Sequence, residues 1–285
     1  MKKRLLLCFL LVLTSCFAAA AQQAQMQPLT FWYEYAVNPG KEEQFLDLVK
    51  TVGAPVRDKL MADGVVLAWG VEVPLLREPG GHTHGIWYSV ADWSGIEKVD
   101  TAMRAQIAKL NEEATKSGAT KKGSAPAQTL AGRLMDVADA SKTRDYVTRD
   151  LVFSVTSGAP PAGFLPYTRY NFVKVKPGKG SDYRKTWEKY NKPVLDKLLA
   201  DGVIVAYGLG VEEVRTEGDF THFTWYAFKD LGAMDKIRAA FIADREHRSQ
   251  EEQDAIANQF ASLLDLDASR AQVTRSVMFH VAPMK

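Results

Sequence analysis

Residues 55–70 read PVRDKLMADGVVLAWG, and residues 193–208 read PVLDKLLADGVIVAYG. Eleven of these sixteen aligned positions are identical, at an offset of 138 residues. The same offset aligns residues 37–41 (VNPGK) with 175–179 (VKPGK), and residues 83–88 (THGIWY) with 221–226 (THFTWY). No gap is needed from residue 29 to 92. The chain is therefore an internal duplication of one structural unit.

The end of each copy follows a different offset, because residues 147–149 (VTR) align with 273–275 (VTR) at an offset of 126. The first copy thus holds twelve extra residues, which we assign to a surface loop at 113–124, a stretch rich in Lys, Gly, Ser and Thr. Residues 156–163 (TSGAPPAG) separate the copies, since their Pro and Gly continue neither strand nor helix. The predicted divisions are a leader at 1–21, module one at 22–155, a linker at 156–166 and module two at 167–285.

Each copy shows the same order of predicted elements. A strand over 31–37 precedes an amphipathic helix, which Pro55 or Pro193 should kink or restart and which Gly64 or Gly202 should end. Strands follow over 65–73 and 84–90, then helices over 96–110 and 128–137, and a last strand over 147–155. The fold class is α+β: two tandem ferredoxin-like βαββαβ modules.

The run of strand, Pro-Gly-Lys, helix, Asp-Gly-Val and strand in both copies resembles the dimeric α+β barrel superfamily. That superfamily includes the antibiotic-biosynthesis monooxygenase-like, NIPSNAP-like and EthD-like proteins. The resemblance implies that the two copies form an intramolecular pseudo-dimeric barrel, either as a monomer or within a higher homo-oligomer. A sheet covered by helices on one face needs cover on the other, and the second copy supplies it.

The first 21 residues have the form of a secretory signal peptide. Lys2, Lys3 and Arg4 precede an apolar stretch over 5–17 and small residues at 18–21, while the apolar stretch is too short for a stable membrane anchor. Removing these three cations lowers Lys+Arg from 36 to 33 against 34 acidic residues. The basic balance of the whole chain therefore gives no reason to expect a nucleic-acid partner.

An alternative processing route starts from residues 13–16 (LTSC), which resemble a bacterial lipobox and would make Cys16 a lipidated first residue. The two cysteines, Cys8 and Cys16, both lie in the leader. A cut after Ala21 thus leaves no thiol for disulfides, nucleophilic catalysis or metal binding. The expected location is the periplasm or the medium, with the outer membrane as the alternative for a lipoprotein. Membrane contact is expected only through the signal or a lipid anchor.

Strand alternation suggests a set of polar and aromatic residues for the barrel interior. His84 and Tyr88 share one face of the third strand, and His222 and Tyr226 repeat it in copy two. The alternate, apolar residues of the strands are expected to pack on the helices. The candidate ligand-binding residues on the interior face are His222, Tyr226, Arg169, Asn171, His84, Tyr88 and His280. A shared hydrogen-bonded packing pair is the stronger explanation of the repeated His and Tyr, because buried Tyr and His usually need only a hydrogen-bond partner.

No metal or cofactor is predicted from the motifs. His82 and His84 form a His-x-His pair, but copy two has Phe220 in place of the first histidine. The sequence contains no Walker A loop, no GxGxxG after a strand and no GxSxG elbow. The resemblance leaves haem open as a cofactor.

Three functions are consistent with these observations. The first is an exported barrel that binds a small aromatic or lipid-like molecule. The second, implied by the resemblance, is an oxygenase-like enzyme that uses haem or no cofactor. The third is a non-catalytic envelope protein. The fold does not select among them, because it hosts many activities.

Overall fold

The computed structural model describes residues 27–77, 81–119, 129–156, 161, 163–216 and 220–282. The predicted signal peptide and Cys16 lie outside the described residues. In the described ranges, no helix is both long enough and apolar enough to cross a membrane.

Eight strands form the sheet: β1 (Leu29–Val37), β2 (Val66–Pro74), β3 (His84–Val90), β4 (Ala138–Val155), β5 (Tyr167–Val175), β6 (Ala206–Glu212), β7 (His222–Phe228) and β8 (Leu264–Val281). The α-helices of module one are α1 (Glu42–Leu48), α2 (Ala54–Ala62), α3 (Trp93–Ala119) and α4 (Leu130–Val137), with a π-helical turn (Val49–Gly53) between α1 and α2. Those of module two are α5 (Gly180–Tyr190), α6 (Lys192–Ala200), α7 (Ala233–Glu246) and α8 (Gln250–Leu263).

The strands close into a barrel in the order β1-β3-β2-β8-β5-β7-β6-β4. Module one contributes β4-β1-β3-β2, and module two contributes β8-β5-β7-β6 in the equivalent order. The modules join edge to edge through two antiparallel pairs, β2 with β8 and β4 with β6. The prediction of two ferredoxin-like modules forming a pseudo-dimeric barrel within one chain is confirmed.

The proline and glycine positions act as predicted. Pro55 and Pro193 lie in the first turn of α2 and α6, where a missing N–H breaks no helical hydrogen bond. Gly64 and Gly202 follow the ends of these helices at φ +75° and +67°, a backbone conformation that glycine adopts without strain. The repeated PVxDKL stretch is therefore a second helix that starts after an interruption.

Two predicted boundaries differ from the structure. The helix predicted over 96–110 continues to Ala119 as α3, so the first part of the predicted surface loop at 113–124 is helical. Residues 120–124 lie outside the described residues. The last strand of each copy is 18 residues long, because it begins directly at the end of the preceding helix and pairs along the full length of β1 or β5.

Each module has its own core between sheet and helices. In module one, Phe45 and Leu48 of α1 pack on Val71 and Val90 of the sheet. In module two, Trp187 and Leu195 pack with Leu209 and Phe228. The barrel interior is the second buried layer, shared by both modules.

Candidate functional site

The repeated histidines and tyrosines of β3 and β7 lie on the helix-facing side of the sheet. The ring of His84 lies 5.0 Å from the ring of Phe45 on α1. The ring of His222 lies 5.4 Å from the ring of Tyr183 on α5. Tyr88 and Tyr226 belong to the same helix-facing cores. The expectation that this face lines the barrel interior is wrong.

The interior face of these strands instead carries the two tryptophans Trp87 and Trp225. Both faces of every strand are buried in a closed barrel, so hydrophobicity alone does not distinguish inside from outside. A better signal is a glycine opposite each tryptophan, since a Cβ at Gly70 would lie 3.0 Å from Trp87 and one at Gly208 would lie 2.5 Å from Trp225. Both copies contain this Gly–Trp pair.

The predicted polar pair on β5 also lies on the helix-facing side. Arg169 Nε donates to Asn171 Oδ1 at 3.0 Å, and both residues act on the pKa of Tyr226. Tyr170 and Phe172 take the interior positions of β5 and pack in the aromatic cluster there. Arg169, Asn171 and Tyr226 therefore form one cluster, but outside the barrel interior.

His280 lies outside the barrel interior because the pairing of β8 is irregular. Its pairing with β2 shifts register between Ser276 and Met278, which moves the residues after the shift to the other face. The His280 ring stacks on Trp69 at 4.2 Å, and its Nδ1 lies 3.5 Å from Asp58 Oδ1. The equivalent shift on β4 falls between Asp150 and Val152. Phe153 and Phe279, which we had expected on the helices, consequently lie near the interior tryptophans Trp225 and Trp87.

His84 and His222 have equivalent surroundings. Each imidazole Nδ1 lies 3.0 Å from the hydroxyl of the preceding threonine, Thr83 or Thr221. Burial lowers the pKa of each histidine to about 4. Phe220 and Phe223, which flank His222 in the sequence, belong to the aromatic cluster of the barrel interior.

The interior holds buried carboxyl groups. Glu72 accepts hydrogen bonds from Trp87 Nε1 at 3.1 Å, from the Tyr170 hydroxyl at 3.1 Å and from Thr274 Oγ1 at 2.7 Å. Burial is the largest influence on Glu72 and raises its pKa, against the three hydrogen bonds, which lower it. These three hydrogen-bonding partners of the carboxyl group are uncharged side chains.

One end of the barrel, which we call the mouth, is formed by Glu34, His82, Tyr146 and Gln272. The Tyr146 hydroxyl donates to Glu34 Oε1 at 2.8 Å. His82 Nδ1 lies 3.5 Å from Glu34 Oε2, and its Nε2 lies 3.4 Å from Gln272 Nε2. His82 therefore contacts residues of both modules, Glu34 of β1 and Gln272 of β8.

A small cavity lies just inside the mouth, and a groove lies outside it. The cavity has a volume of about 20 Å³, room for about one water molecule. Its walls are aromatic and polar: Trp32, Glu34, Glu72, His82, Gly85, Tyr146, Tyr170, Phe172, Phe223, Gln272 and Thr274. The groove has a volume of about 240 Å³ and includes Arg77, Lys142 and Asp139. His82 lines both volumes and separates them.

The cavity is asymmetric, and copy one supplies its acids and its histidine. At the offset of 138, Glu34 aligns with Phe172, Glu72 with Gly210, His82 with Phe220 and Gly85 with Phe223. The phenylalanines of copy two pack with Tyr146 and Tyr170 into one aromatic cluster. Divergence between the copies at these positions is the sequence signal that marks the site.

The cavity does not fit a haem group, because a porphyrin is larger than either volume. The helix-facing histidines do not provide a second haem site, since His84 and His222 pack directly against aromatic rings. Among the described residues, no group of three or more His, Cys, Asp or Glu could hold a metal ion. The cavity offers aromatic surfaces and hydrogen-bonding side chains.

Comparison with known proteins identifies the fold. No family model and no curated protein matches the chain. A crystal structure described as "Putative monooxygenase" from Fusobacterium nucleatum subsp. nucleatum has a TM-score of 0.58 at 11% identity, covering 92% of this chain and 97% of that one. A "putative monooxygenase" from Lactobacillus acidophilus has a TM-score of 0.53 at 8% identity, covering 90% and 97%.

A third solved structure, an anthrone oxidase-like protein, has a TM-score of 0.52 at 12% identity and covers 92% of this chain and 96% of that chain. At these identities the likeness concerns the fold alone. The chain shares the two-module, ferredoxin-like α+β barrel architecture of these proteins.

Proposed function

We propose that this chain is a small-molecule-binding barrel that takes a planar aromatic compound at the mouth. The observation that carries the proposal is the asymmetry of the interior. Copy two has Phe172 and Phe220 at the positions of Glu34 and His82 and Gly210 at the position of Glu72, so only copy one places acids and a histidine there. Buried carboxyl groups cost stability relative to packed apolar side chains, so a barrel built for stability alone gains nothing from them.

The walls of the cavity suit a flat ring. Trp32 and Tyr146 stack at 6.0 Å with an interplanar angle of 11°, and Tyr170 meets Trp32 edge-on at 5.7 Å. A planar ligand extends such an array at little cost in conformational entropy. The groove of about 240 Å³ exceeds the roughly 150 Å³ cavity that is known to bind benzene.

Entry into the cavity requires movement of His82, because the cavity holds only about one water molecule when His82 is in place. His82 contacts Glu34 and Gln272 at 3.5 and 3.4 Å, and both contacts must lengthen when the side chain moves. The ligand therefore occupies the groove and inserts its ring past His82.

The test is isothermal titration calorimetry of the purified chain with 2-naphthol and with its saturated analogue, decahydro-2-naphthol. We expect saturable one-to-one binding of the aromatic compound and much weaker binding of the saturated one. Gly85→Val should abolish binding, because nothing lies within 4 Å of a Cβ at this position and the added side chain fills the cavity. Ser89→Val, on the same face of β3, is the matched control.

Absence of binding by a panel of one-ring and two-ring aromatic compounds, with the protein folded, would contradict the proposal. The non-catalytic envelope role would then be the remaining interpretation.

A second candidate, a cofactor-independent oxidase of aromatic substrates, is favoured by the Glu34–His82 pair beside the cavity. Such a pair can accept the proton that an anthrone or phenol loses before reacting with dioxygen. The balanced reaction is anthrone plus O₂ giving anthraquinone plus water. Oxygen uptake with anthrone, lost in Glu34→Gln, would support this candidate. The anthrone oxidase-like structure of the same fold motivates the choice of substrate.

We also propose that the chain is exported through the predicted leader. Mass spectrometry of the mature protein separates the two processing routes. An N-terminus near Gln22 indicates soluble export, and an acylated Cys16 indicates a lipoprotein.

A further inference from the structure

We propose that the ligand is an aromatic carboxylate, whose carboxylate group is held at the mouth by Arg144 and Arg270. This inference rests on the proposed binding function and specifies the ligand class for the same site. It follows from the position of the two arginines, from the hydrogen-bonding state of Arg144 and from the pairing of the neighbouring acids.

The two arginines occupy equivalent positions in the duplication, at the offset of 126 that aligns β4 with β8. Most neighbouring mouth positions have diverged between the copies, but an arginine stands at this position in both. The Arg144 guanidinium lies 4.9 Å from the Tyr146 ring and 5.6 Å from the Phe220 ring. The Arg270 guanidinium lies 4.4 Å from the Phe172 ring. The cations thus approach the same aromatic cluster from two strands on different sides of the barrel.

Arg144 retains hydrogen-bonding capacity. Its Nη2 is buried and has no hydrogen-bond partner among the described residues. Glu212 Oε1 lies 3.8 Å from this nitrogen, beyond hydrogen-bond distance. The same Glu212 oxygen accepts from the Thr216 hydroxyl at 2.6 Å and from the Thr216 amide at 3.2 Å. A buried guanidinium nitrogen without an acceptor costs free energy that an incoming acceptor recovers.

The interior acids already have their donors. Glu34 accepts from Tyr146, and Glu72 accepts from three side chains. Arg144, in contrast, has a donor without an acceptor, so a ligand that brings an acceptor pairs with this arginine and leaves the hydrogen bonds of the acids in place. A carboxylate fits best, because its two oxygens match the planar fork of a guanidinium.

The groove that leads to the mouth is lined by further cations, Arg77 and Lys142, of which Lys142 lies 3.3 Å from Asp139. The charges of both arginines also lower the pKa of Tyr146, whose hydroxyl donates to Glu34. A carboxylate at this point lies between the groove and the aromatic cavity, so its ring can enter past His82 while its charge stays at the mouth.

The experiment compares 2-naphthoate with its neutral isostere 2-naphthamide by isothermal titration calorimetry on the full chain. We expect 2-naphthoate to bind at least about tenfold more tightly, as charge-assisted hydrogen bonds to arginine imply. The difference should shrink in high salt. Arg144→Met, which keeps the apolar stem, should remove most of the affinity difference between the two compounds. If Arg144→Met fails to fold, Arg270→Met serves as the test and should have the same effect. Arg238→Met on the exposed surface of α7 is the control for the loss of one charge.

Equal binding of the two compounds, unchanged by either mouth variant, would overturn this inference and leave the aromatic-binding proposal standing. Failure of naphthoate, naphthamide and naphthol alike would overturn both.

Discussion

Asp150 lies inside the barrel and accepts a hydrogen bond from Trp225 Nε1 at 2.8 Å. Burial is the largest influence on this carboxyl group and raises its pKa to about 7. An aspartate in the unfolded chain has a pKa of about 3.9. The folded protein therefore binds this proton more tightly than the unfolded chain does. The stabilisation is fully present below about pH 4 and is lost as the pH rises through 7.

Asp150→Asn should remove this pH dependence, because the amide keeps the hydrogen-bond acceptor and does not ionise. We expect the free energy of unfolding of the variant, relative to the original protein, to rise between pH 5 and pH 8 by about 2–3 kcal/mol. Urea denaturation at several pH values measures the difference. Ser276→Ala, at the equivalent position of copy two, should change stability by the same amount at every pH. A constant difference for both variants would show that Asp150 ionises normally.

His84 and His222 impose the opposite pH dependence. Burial lowers the pKa of both to about 4, below the unfolded value of about 6.5. Their contribution to stability is present above pH 6.5 and is lost as the pH falls through 4.

We expect His84→Asn and His222→Asn to lose less stability between pH 7 and pH 4.5 than the original protein, by about 2 kcal/mol each. Because the two sites have equivalent surroundings, the two effects should be equal within about 0.5 kcal/mol. Denaturation curves at the two pH values provide the measurement. An imidazole proton resonance assigned to His84 or His222 that titrates near pH 6.5 in the folded protein would rule out this account.

At the scale of the strands, the barrel interior is packed by glycine–aromatic pairs. A Cβ at Gly208 would lie 2.5 Å from Trp225 Nε1 and 2.9 Å from the Val152 carbonyl oxygen. The close contact with backbone leaves no room for a methyl group. Gly85, also on an interior face, has nothing within 4 Å of a Cβ. A larger side chain therefore fits at Gly85 but not at Gly208.

Gly208→Ala should destabilise the protein by about 1–3 kcal/mol through overpacking, whereas Gly85→Ala should change stability by less than about 0.5 kcal/mol. Thermal and chemical denaturation of the two variants gives the comparison. The same loss at both positions would mean that the cavity beside Gly85 is not an open space in solution.

The strand and helix order was predictable because each signal is local. The Pro-Gly turns, the prolines at helix starts and the glycines at helix ends each act through a few neighbouring residues. The length of α3 was not predictable in the same way, because Lys, Ser and Thr at 115–119 fit a loop or a solvated helix equally well.

The site was harder to predict than the fold because inside and outside depend on the closed barrel. His84 and Trp87 are both compatible with either face, and only the packing of the helices and of the far wall decides between them. The residues of the mouth, Glu34, His82 and Tyr146, come from strands one and four and from the loop before strand three. They meet only through the barrel, although each differs from its counterpart in copy two.

At the scale of the whole molecule, the two modules need each other at both edges. Separation exposes the hydrogen-bonding edges of β2, β4, β6 and β8, and it uncovers the aromatic interior. Residues 167–285 expressed alone could pair β6 with β8 of a second copy. In that homodimer each copy would contribute Phe172, Phe220 and Phe223 to the interior. The native barrel contains one such set, and Glu34, His82 and Gly85 of module one occupy the equivalent positions. The interior would be overfilled.

We therefore expect residues 167–285 alone to aggregate or to form an unstable dimer, whereas co-expression with residues 22–155 should give a soluble one-to-one complex. The linker keeps the two modules at a high effective concentration. The complex of separate modules lacks this linker, so it should dissociate on dilution, whereas the intact chain should not. Size-exclusion chromatography with light scattering measures the masses, and near-UV circular dichroism compares the aromatic packing with that of the intact chain. A soluble, monomeric fragment 167–285 with native-like aromatic circular dichroism would show that the modules are independent. The shared interior, and with it the two-module mouth, would then not be required for folding.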